Sequence, residues 1–326
     1  MIEVVSPGLH SLVQDLGRDG YYAIGMPPSG ALDQYSHSVA NLLVGNGISA
    51  ATLEVTFLAP ELLFHSSATV AVTGATLPVL LDGQPAEQWA PLVVAAGQTL
   101  KFGPMTAGCR AYIAVAGGID TVPFLGSRAT YATSSIGGLD GRPLKQGDKL
   151  PVAEASPARG APRAGVRLDE RFLPRLGHEY ELRVVEGLCN YRFRPESLGT
   201  FFSTEYRVTA EANRIGYRFH GERLEFVDRA PVFGAGDNPS NVVDLGYPMG
   251  SIQVPDGAEP ICLLRDAVTG GGYATLGTVI ARDLDLLAQA KVPDKVRFTR
   301  ISIDQAVELR RQQQARLRDV ALSLGA

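Results

Sequence analysis

Thr69-Val-Ala-Val-Thr-Gly74 is the stretch that decides the fold class, because four of its six residues are β-branched and a glycine ends the run. Residues of this kind suit the pleated surface of a strand. Three further runs of the same character lie between glycine or proline residues: Leu92-Val-Val-Ala95, Ala111-Tyr-Ile-Ala-Val-Ala116 and Tyr180-Glu-Leu-Arg-Val-Val185. Asp82-Gly83, directly after Val79-Leu-Leu81, is a hairpin signal. Many short strands punctuated in this way predict a mainly β protein, built as a barrel or a sandwich.

Three segments instead show the spacing of helices. Ser29–Gly45 has apolar residues on one face and a glycine at its end, and Arg282–Lys291 is followed by Pro293. The third segment, Ile303–Leu324, is preceded by Ser302, which forms a capping pattern with Gln305. The sequence therefore predicts a few helices beside many strands.

The clearest change of composition is Pro151–Gly165, which is rich in alanine, proline and glycine and has no apolar period. Such a segment is typical of a linker. The expected organisation is an N-terminal domain over residues 1–150, a linker over 151–165, a C-terminal domain over 166–302 and a helix over 303–326.

Composition excludes several classes of protein. The 326 residues carry 30 basic and 34 acidic side chains, a net charge of −4, so binding to nucleic acid through a basic surface is not expected. No apolar run approaches the roughly 18–20 residues of a membrane span, and the first residues do not resemble a secretory signal. Three widely spaced cysteines do not form a disulfide framework. We therefore expect a cytoplasmic protein that does not contact membranes.

Standard motifs for metals and nucleotides are absent from the sequence. It contains no H-E-x-x-H, C-x-x-C or EF-hand pattern, and its five histidines are scattered. It also lacks the glycine-rich P-loop that cradles ATP phosphates. We expect no metal site and no P-loop nucleotide site.

Charge is distributed unevenly along the chain. Residues 1–150 carry 18 charged side chains, 11 acidic and 7 basic, whereas residues 151–326 carry 46. A deeper core would explain the charge-poor half, and so would a surface that a partner covers. We favour the second explanation and predict a subunit interface there.

The C-terminal half holds a polar group of the kind that orients a small ligand. Gln253 precedes a Pro-Asp-Gly turn, Arg214 and Asp266 supply a donor and a base, and the glycine-rich stretch Thr269–Tyr273 ends in a hydroxyl. Arg265 is a further donor, and the alternative is a buried arginine–aspartate pair within this group that stabilises the domain. The residues alone leave both interpretations open.

Two further blocks in the first half combine polar residues with glycine. In Leu125–Thr130, the side chains of Ser127, Arg128 and Thr130 are donors suited to an anion. The N-terminal block contains Asp15 and Arg18 among tight-turn residues. Most residues of this N-terminal block are expected to hold loops together instead of binding a ligand.

Seven phrases in this order resemble the allophanate hydrolase subunit 2 family, also described as the biotin-dependent carboxyltransferase family and as the 5-oxoprolinase C-subunit family. They are Val13-Gln-Asp-Leu-Gly-Arg18, Ser29-Gly-Ala-Leu-Asp33, Ala40-Asn-Leu-Leu-Val-Gly-Asn46, Leu125-Gly-Ser-Arg-Ala-Thr130, Asn213-Arg-Ile-Gly-Tyr-Arg218, Ser251-Ile-Gln-Val-Pro255 and Gly271-Gly-Tyr273. The resemblance implies two cyclophilin-like β-barrel domains with a few short helices, and a partner subunit of related fold, subunit 1 of the same family.

The resemblance also implies an activity. In bacterial 5-oxoprolinase the two paired subunits act with a third component to open 5-oxoproline, a small amide, to glutamate at the expense of ATP. The expected function is therefore that of a hydrolase subunit with part of a composite active site, inactive without its partners. ATP is the cofactor of the complex, and the residues do not show where it binds.

Two alternatives accompany this interpretation. The same module forms the carboxyltransferase part of urea carboxylase, where biotin would arrive on a separate carrier, since this chain has no Met-Lys-Met type motif. Relatives are also linked to antagonism of a sporulation-kinase inhibitor, which makes a non-enzymatic regulatory binding protein the third interpretation.

The expected site residues follow from the resemblance and the polar groups together. The catalytic set is Asp266, Arg214 and Tyr273, and the substrate-binding set is Gln253, Arg128, Ser127, Thr130, Gly271 and Gly272. Arg128 or Arg214 would stabilise a developing oxyanion, and Asp266 would orient the substrate or accept a proton. The sequence departs from the family pattern at Glu186–Cys189 and Val268–Tyr273, which bears on the identity of the substrate.

Overall fold

The computed structural model describes residues 1–155, 166–230, 233–234 and 236–325, so most of the predicted linker lies outside the described residues. The contacts between residues divide the chain into two compact units. Unit 1 comprises Met1–Arg18, Ser29–Leu176 and Gln314–Ala326. Unit 2 comprises Asp19–Pro28 and Gly177–Gln313.

Unit 1 is built from two antiparallel sheets. Its described strands are β1 (Ile2–Ser6), β2 (His10–Gln14), β3 (Thr52–Thr56), β4 (Glu61–Phe64), β5 (Ala68–Thr76), β6 (Val79–Leu81), β7 (Gln84–Ala86), β8 (Pro91–Val94), β9 (Thr99–Phe102), β10 (Ala107–Val115) and β11 (Lys149–Leu150). One sheet has the order β11-β1-β4-β9-β6-β7 and the other the order β2-β3-β10-β5-β8. The stretch Thr69–Gly74 lies within β5, which pairs with β10 on one side and β8 on the other.

The hairpin predicted at Asp82-Gly83 is confirmed. Leu81 pairs with Gln84 across the turn, and both turn residues have a positive φ, 48° at Asp82 and 79° at Gly83. A two-residue turn with positive φ at both positions has the twist that antiparallel strands need. Aspartate followed by glycine tolerates that conformation better than most pairs do.

Unit 2 contains a closed barrel. Its described strands are β12 (Glu179–Glu186), β13 (Glu205–Ala212), β14 (Gly216–His220), β15 (Asn241–Gly246), β16 (Ser251–Gln253), β17 (Ile261–Leu263), β18 (Gly270–Tyr273), β19 (Thr275–Val279) and β20 (Lys295–Arg300). Seven of them close in the order β12-β19-β16-β17-β14-β13-β20, and β15 pairs with β18 in a separate two-stranded ribbon. The prediction of a mainly β fold is confirmed.

The described residues contain four α-helices: α1 (Gln34–Leu43), α2 (Pro195–Ser203), α3 (Ala281–Leu287) and α4 (Ile303–Leu324). The predicted helices correspond to α1, α3 and α4. Helix α1 begins after Asp33, whose carboxylate accepts a hydrogen bond from the Ser36 amide at 2.9 Å. Helix α2 was not predicted, because it has only nine residues and includes Gly199.

Each unit has its own apolar core. In unit 1, side chains such as Leu53, Val72 and Ile113 form a buried cluster between the sheets. In unit 2, aromatic rings fill the barrel, with Phe201 stacked on Phe298 at a centroid distance of 4.6 Å. Aromatic side chains bury a large area each, so a few of them suffice for a small barrel.

The division into units differs from the predicted domain bounds in two places. Leu168 and Phe172, which the sequence placed in the C-terminal domain, are buried in a core cluster of unit 1 together with Val320 of α4. Asp19–Pro28 lies in unit 2 although it falls within the predicted N-terminal domain. A composition shift marks where a linker is; it does not mark where flanking apolar residues pack.

Replacing Ser302 with alanine should weaken the start of α4. The Ser302 hydroxyl accepts a hydrogen bond from the Gln305 amide at 3.2 Å, and the Gln305 side chain accepts one from the Ser302 amide at 2.9 Å. Loss of such a cap costs about 1 kcal/mol. We expect that decrease in the free energy of unfolding, measured by urea titration with circular dichroism. Gln314→Ala, at an exposed position of the same helix, is the control and should not lower it.

Candidate functional site

Several predicted residues meet beside the barrel of unit 2. Gln253 lies on β16 with its side chain buried, and its neighbours across the sheet are Ile261 and Thr275. Gly271 and Gly272 lie on β18, and Tyr273 ends that strand with 40% of its surface exposed. The barrel strand β16 and the ribbon strand β18 therefore carry these residues, and their role in binding a ligand stays a prediction.

Tyr247 connects these groups, although no sequence pattern singled it out. Its hydroxyl donates a hydrogen bond to the Tyr273 carbonyl at 2.8 Å and accepts one from the Tyr273 amide at 2.7 Å. Gln253 lies close by, because the amide of Val254, the next residue, donates a hydrogen bond at 3.2 Å to the carbonyl of Ala274, which follows Tyr273. Nothing in the residues around Tyr247 separates it from the other ten tyrosines, because its partners are distant in sequence.

Arg214 and Asp266 form a buried ion pair. The Arg214 Nε lies 2.8 Å from Asp266 Oδ2, and an Nη lies 3.1 Å from Oδ1. The Asp266 amide also donates to the Arg214 carbonyl at 3.1 Å. This two-point geometry occupies both carboxylate oxygens, as the domain-stabilising alternative requires. The catalytic roles predicted for the two residues stay predictions.

Arg265, next to this pair, is buried as well. Burial lowers the pKa of its guanidinium, and the charge of Asp19 opposes that effect. Asp19 and Tyr22 belong to the short N-terminal segment that lies in unit 2. Burial raises the pKa of the Tyr22 hydroxyl, and the charge of Arg265 lowers it. The segment thus adds an acid and a phenol to the environment of Arg265.

The predicted residues Ser127, Arg128 and Thr130 lie in unit 1, whereas Gln253, Gly271, Gly272 and Tyr273 lie in unit 2. The Ser127 hydroxyl donates to Asp15 at 2.7 Å, and the Thr130 hydroxyl donates to the Val13 carbonyl at 2.9 Å. The Ser127 and Thr130 side chains are buried and hold their own loop against β2 and the turn that follows it. These contacts are the loop-holding role that was expected for the N-terminal block.

Arg128 differs from its neighbours. Its amide donates to Asp15 at 2.6 Å, but its guanidinium reaches the surface and pairs with Asp120 at 2.6 Å. Both charged groups are substantially exposed, which makes the pair weak and exchangeable. Of the three side chains, only that of Arg128 could contact a ligand while the loop stays folded.

The cysteines offer no activated nucleophile. Cys109, Cys189 and Cys262 are thiols that form no disulfide within the described residues, and all three are buried. Burial raises the pKa of the Cys262 thiol far above its usual value, which keeps it protonated. Cys262 therefore serves as a small apolar side chain in the barrel.

The described residues contain neither a cluster of metal ligands nor a helix that could span a membrane. No group of three or more histidine, cysteine, aspartate or glutamate side chains is arranged there to hold a metal ion. No helix in that part of the chain is both long enough and apolar enough to cross a membrane.

Comparison with known proteins gives consistent matches. The family model described as carboxyltransferase domain, subdomain A and B, matches residues 24–300. Urea amidolyase of Saccharomyces cerevisiae is 34% identical over 325 residues, which cover 98% of this chain and 18% of that protein. The 5-oxoprolinase C-subunit of Escherichia coli is 33% identical over 324 residues, which cover 99% of each.

Solved structures agree with these matches. The crystal structure of the K. lactis urea amidolyase superimposes with a TM-score of 0.91 at 34% identity, over 98% of this chain and 20% of that one. The chain thus spans about a fifth of the length of the urea amidolyases it matches. It spans nearly the whole of the 5-oxoprolinase protein from E. coli.

Replacing Asp266 with alanine should strongly destabilise the protein, because it leaves the buried Arg214 charge without its carboxylate. Removing one partner of a buried pair costs about 3–5 kcal/mol, whereas replacing both with apolar residues costs less. We expect the double variant Arg214→Met/Asp266→Leu to unfold at a higher temperature than Asp266→Ala in calorimetry.

The exposed pair Glu308–Arg311 provides the control, and Glu308→Ala should change the free energy of unfolding by less than about 1 kcal/mol. If Asp266→Ala is as stable as the parent protein but inactive, the carboxylate has a chemical role and not a structural one.

Proposed function

The chain belongs to the carboxyltransferase domain family, subdomain A and B, and from this membership we propose that it is a subunit of an ATP-dependent 5-oxoprolinase. It contributes part of a composite active site with a related partner subunit and a third component. The complex opens 5-oxoproline to glutamate in a reducing, cytoplasmic setting. The membership itself makes the chain a relative of proteins named as parts of enzymes.

One observation carries the choice of this activity. The match to the 5-oxoprolinase protein extends over 99% of its length, so this chain has a counterpart to essentially all of it. By contrast, 18% of the yeast urea amidolyase is matched. A match over the whole of a relative favours a shared function more than a match to one part of a larger protein does.

The chemistry of Gln253 suits a lactam. 5-Oxoproline presents one amide N–H, one carbonyl oxygen and a carboxylate. A glutamine side chain has two N–H donors and a carbonyl oxygen, so it can pair with a cyclic amide. The exposed Tyr273 hydroxyl is a second donor beside it. These two side chains orient the lactam in the proposal.

Ring opening needs a water to add to the lactam carbonyl, after which the carbon–nitrogen bond breaks and the nitrogen takes a proton. Charge develops on the carbonyl oxygen, and donors aimed at that oxygen lower the barrier. The glycines at positions 271 and 272 let a ligand approach the main chain closely. The energy of ATP is used by the complex, and the proposal assigns no ATP site to this chain.

The proposal gives Asp266 a supporting role instead of the catalytic role expected from the sequence. Because Arg214 engages both of its oxygens, the proposal makes the pair a support for the strand ends around Arg265. Arg128 keeps the substrate-binding role predicted for it, with its guanidinium exposed on unit 1. Ser127 and Thr130 support the loop that carries it.

Carboxyl transfer from biotin is the second candidate, favoured by the TM-score of 0.91 to the K. lactis urea amidolyase. On this alternative a separate carrier protein presents carboxybiotin, and urea or a related amide accepts the carboxyl group. The two candidates share an amide as the substrate, so the same polar group would serve both.

Reconstitution tests the proposal. The chain is combined with the related partner subunit and the third component, and ATP consumption that depends on 5-oxoproline is measured together with glutamate. We expect activity with all three proteins and none when this chain is omitted. Full activity without it refutes the proposal, and activity that requires a biotin carrier and is abolished by avidin favours the second candidate.

Replacing Gln253 with alanine should raise the KM for 5-oxoproline about tenfold, the effect of one or two lost hydrogen bonds. The same assay provides the measurement. Gln84→Ala, at an exposed position of β7, is the matched control and should leave KM unchanged. Equal KM values for the two variants would remove Gln253 from the binding site.

A further inference from the structure

We infer that Tyr247 is a positioning residue of this site, whose hydroxyl fixes the main chain of Tyr273 beside Gln253. The inference deepens the proposed function and rests on it, because it concerns the same lactam-orienting groups. It is carried by the contacts of one side chain.

The hydroxyl of Tyr247 binds both main-chain polar groups of Tyr273. A phenolic hydroxyl can donate and accept hydrogen bonds at the same time. Here it donates to the Tyr273 carbonyl at 2.8 Å and accepts from the Tyr273 amide at 2.7 Å. Two hydrogen bonds from one buried hydroxyl to one residue hold that residue in a single orientation.

Tyr247 also spans the length of the glycine-rich strand. Its main-chain amide donates to the Thr269 carbonyl at 2.9 Å, just before β18 begins, while its hydroxyl reaches Tyr273 at the other end. The strand between them is Gly270–Tyr273, whose three glycines have no side chains with which to pack. One residue therefore supplies much of the order of this strand.

The ring of Tyr247 is itself held firmly. Only 2% of the residue is exposed, and it packs in a cluster with Leu263 of β17 and Ala267. A Cβ added at Gly271 would lie 2.8 Å from Cε2 of the ring, so the glycine is what admits the ring to this place. The ring of Tyr247 is thus fixed by residues of the barrel, and its hydroxyl in turn fixes the ribbon strand β18.

The protonation state of the hydroxyl agrees with this role. Burial raises the pKa of Tyr247 above its usual value, and the hydrogen bond with the main chain of Tyr273 opposes that effect. The phenol therefore keeps its proton at neutral pH, as it must in order to donate to the Tyr273 carbonyl. Acid–base catalysis at neutral pH is not its task.

Tyr247→Phe removes the hydroxyl and keeps the ring. We expect the KM for 5-oxoproline in the reconstituted complex to rise about tenfold, with kcat changed by no more than about twofold, since two neutral hydrogen bonds are lost. In the chain itself, hydrogen–deuterium exchange at the Tyr273 amide should accelerate. A double variant with Gln253→Ala should lose less than the two single variants added together, because both side chains serve the same lactam-orienting group.

Tyr206→Phe is the matched control. This tyrosine is also buried in unit 2, but its hydroxyl has no hydrogen-bond partner within the described residues. Its removal should leave KM and the exchange of Tyr273 unchanged. The comparison separates loss of the hydrogen bonds from the general effect of removing a buried hydroxyl.

Gly271→Ala tests the same inference without touching Tyr247. The new methyl group forces the ring to shift, so KM should rise as it does in Tyr247→Phe, which also covers the case in which that variant fails to fold. Gly246→Ala is its control, because a Cβ there meets no atom within 4 Å.

The outcomes distinguish this inference from the proposed function. A parent complex with no 5-oxoproline turnover refutes the proposed function, and the KM comparison is then made in the carboxyl-transfer assay. Unchanged exchange at Tyr273 in Tyr247→Phe overturns the inference in either case, since that measurement needs no substrate. Faster exchange with an unchanged KM overturns it as well.

Discussion

The parallel pairing of β12 with β20 is the constraint on which unit 2 depends. Residues Glu179–Val184 align with Lys295–Arg300, and this is the one parallel contact among the strand pairs described for the barrel. Without it the sheet would have two free edges. The pairing fixes β12, whose other neighbour β19 pairs in turn with β16, the strand of Gln253. The position of a polar side chain in the site therefore follows from a main-chain contact on another part of the barrel.

A buried carboxylate reinforces this closure. Asp283 of α3 is fully buried and accepts hydrogen bonds from the amide of Arg183, at 2.7 Å, and from its Nε, at 2.8 Å. The contact holds α3 against β12 where that strand faces β20. The hydrogen bond that the side chain makes with Arg183 raises the pKa of this arginine, so the guanidinium keeps its charge.

Local signals in the sequence predicted local structure well. Asp82-Gly83, the Ser302–Gln305 cap and the Asp33 start of α1 each depend on residues a few positions apart, and each is present in the structure. Helix α2 shows the limit, because nine residues with an internal glycine give too little periodicity. The pairing order of the strands could not be predicted, since it depends on contacts between residues far apart in the chain.

The candidate site was also predictable only where local residue types point to it, and not where it depends on contacts between distant residues. Residue types that suit a ligand pointed to Gln253, Tyr273 and the glycines, and the structure brings these together. The residue that joins them, Tyr247, has a role only through its distant partners, and no pattern could reveal it. A buried arginine–aspartate pair was one of two alternatives, and the structure forms it from Arg214 and Asp266. Neither the choice of arginine nor the burial of the pair is visible in a sequence.

The closed barrel also limits how another polypeptide can associate with this chain. A closed sheet has no unpaired strand edge, so unit 2, within the described residues, cannot extend its barrel by pairing with a strand from outside. The sheets of unit 1 do end in edge strands, β2 and β8 in one and β7 and β11 in the other. Strand addition, in which main-chain hydrogen bonds join two proteins, is thus possible at the charge-poor unit, whereas contacts with the barrel must be made by side chains, loops and the ribbon.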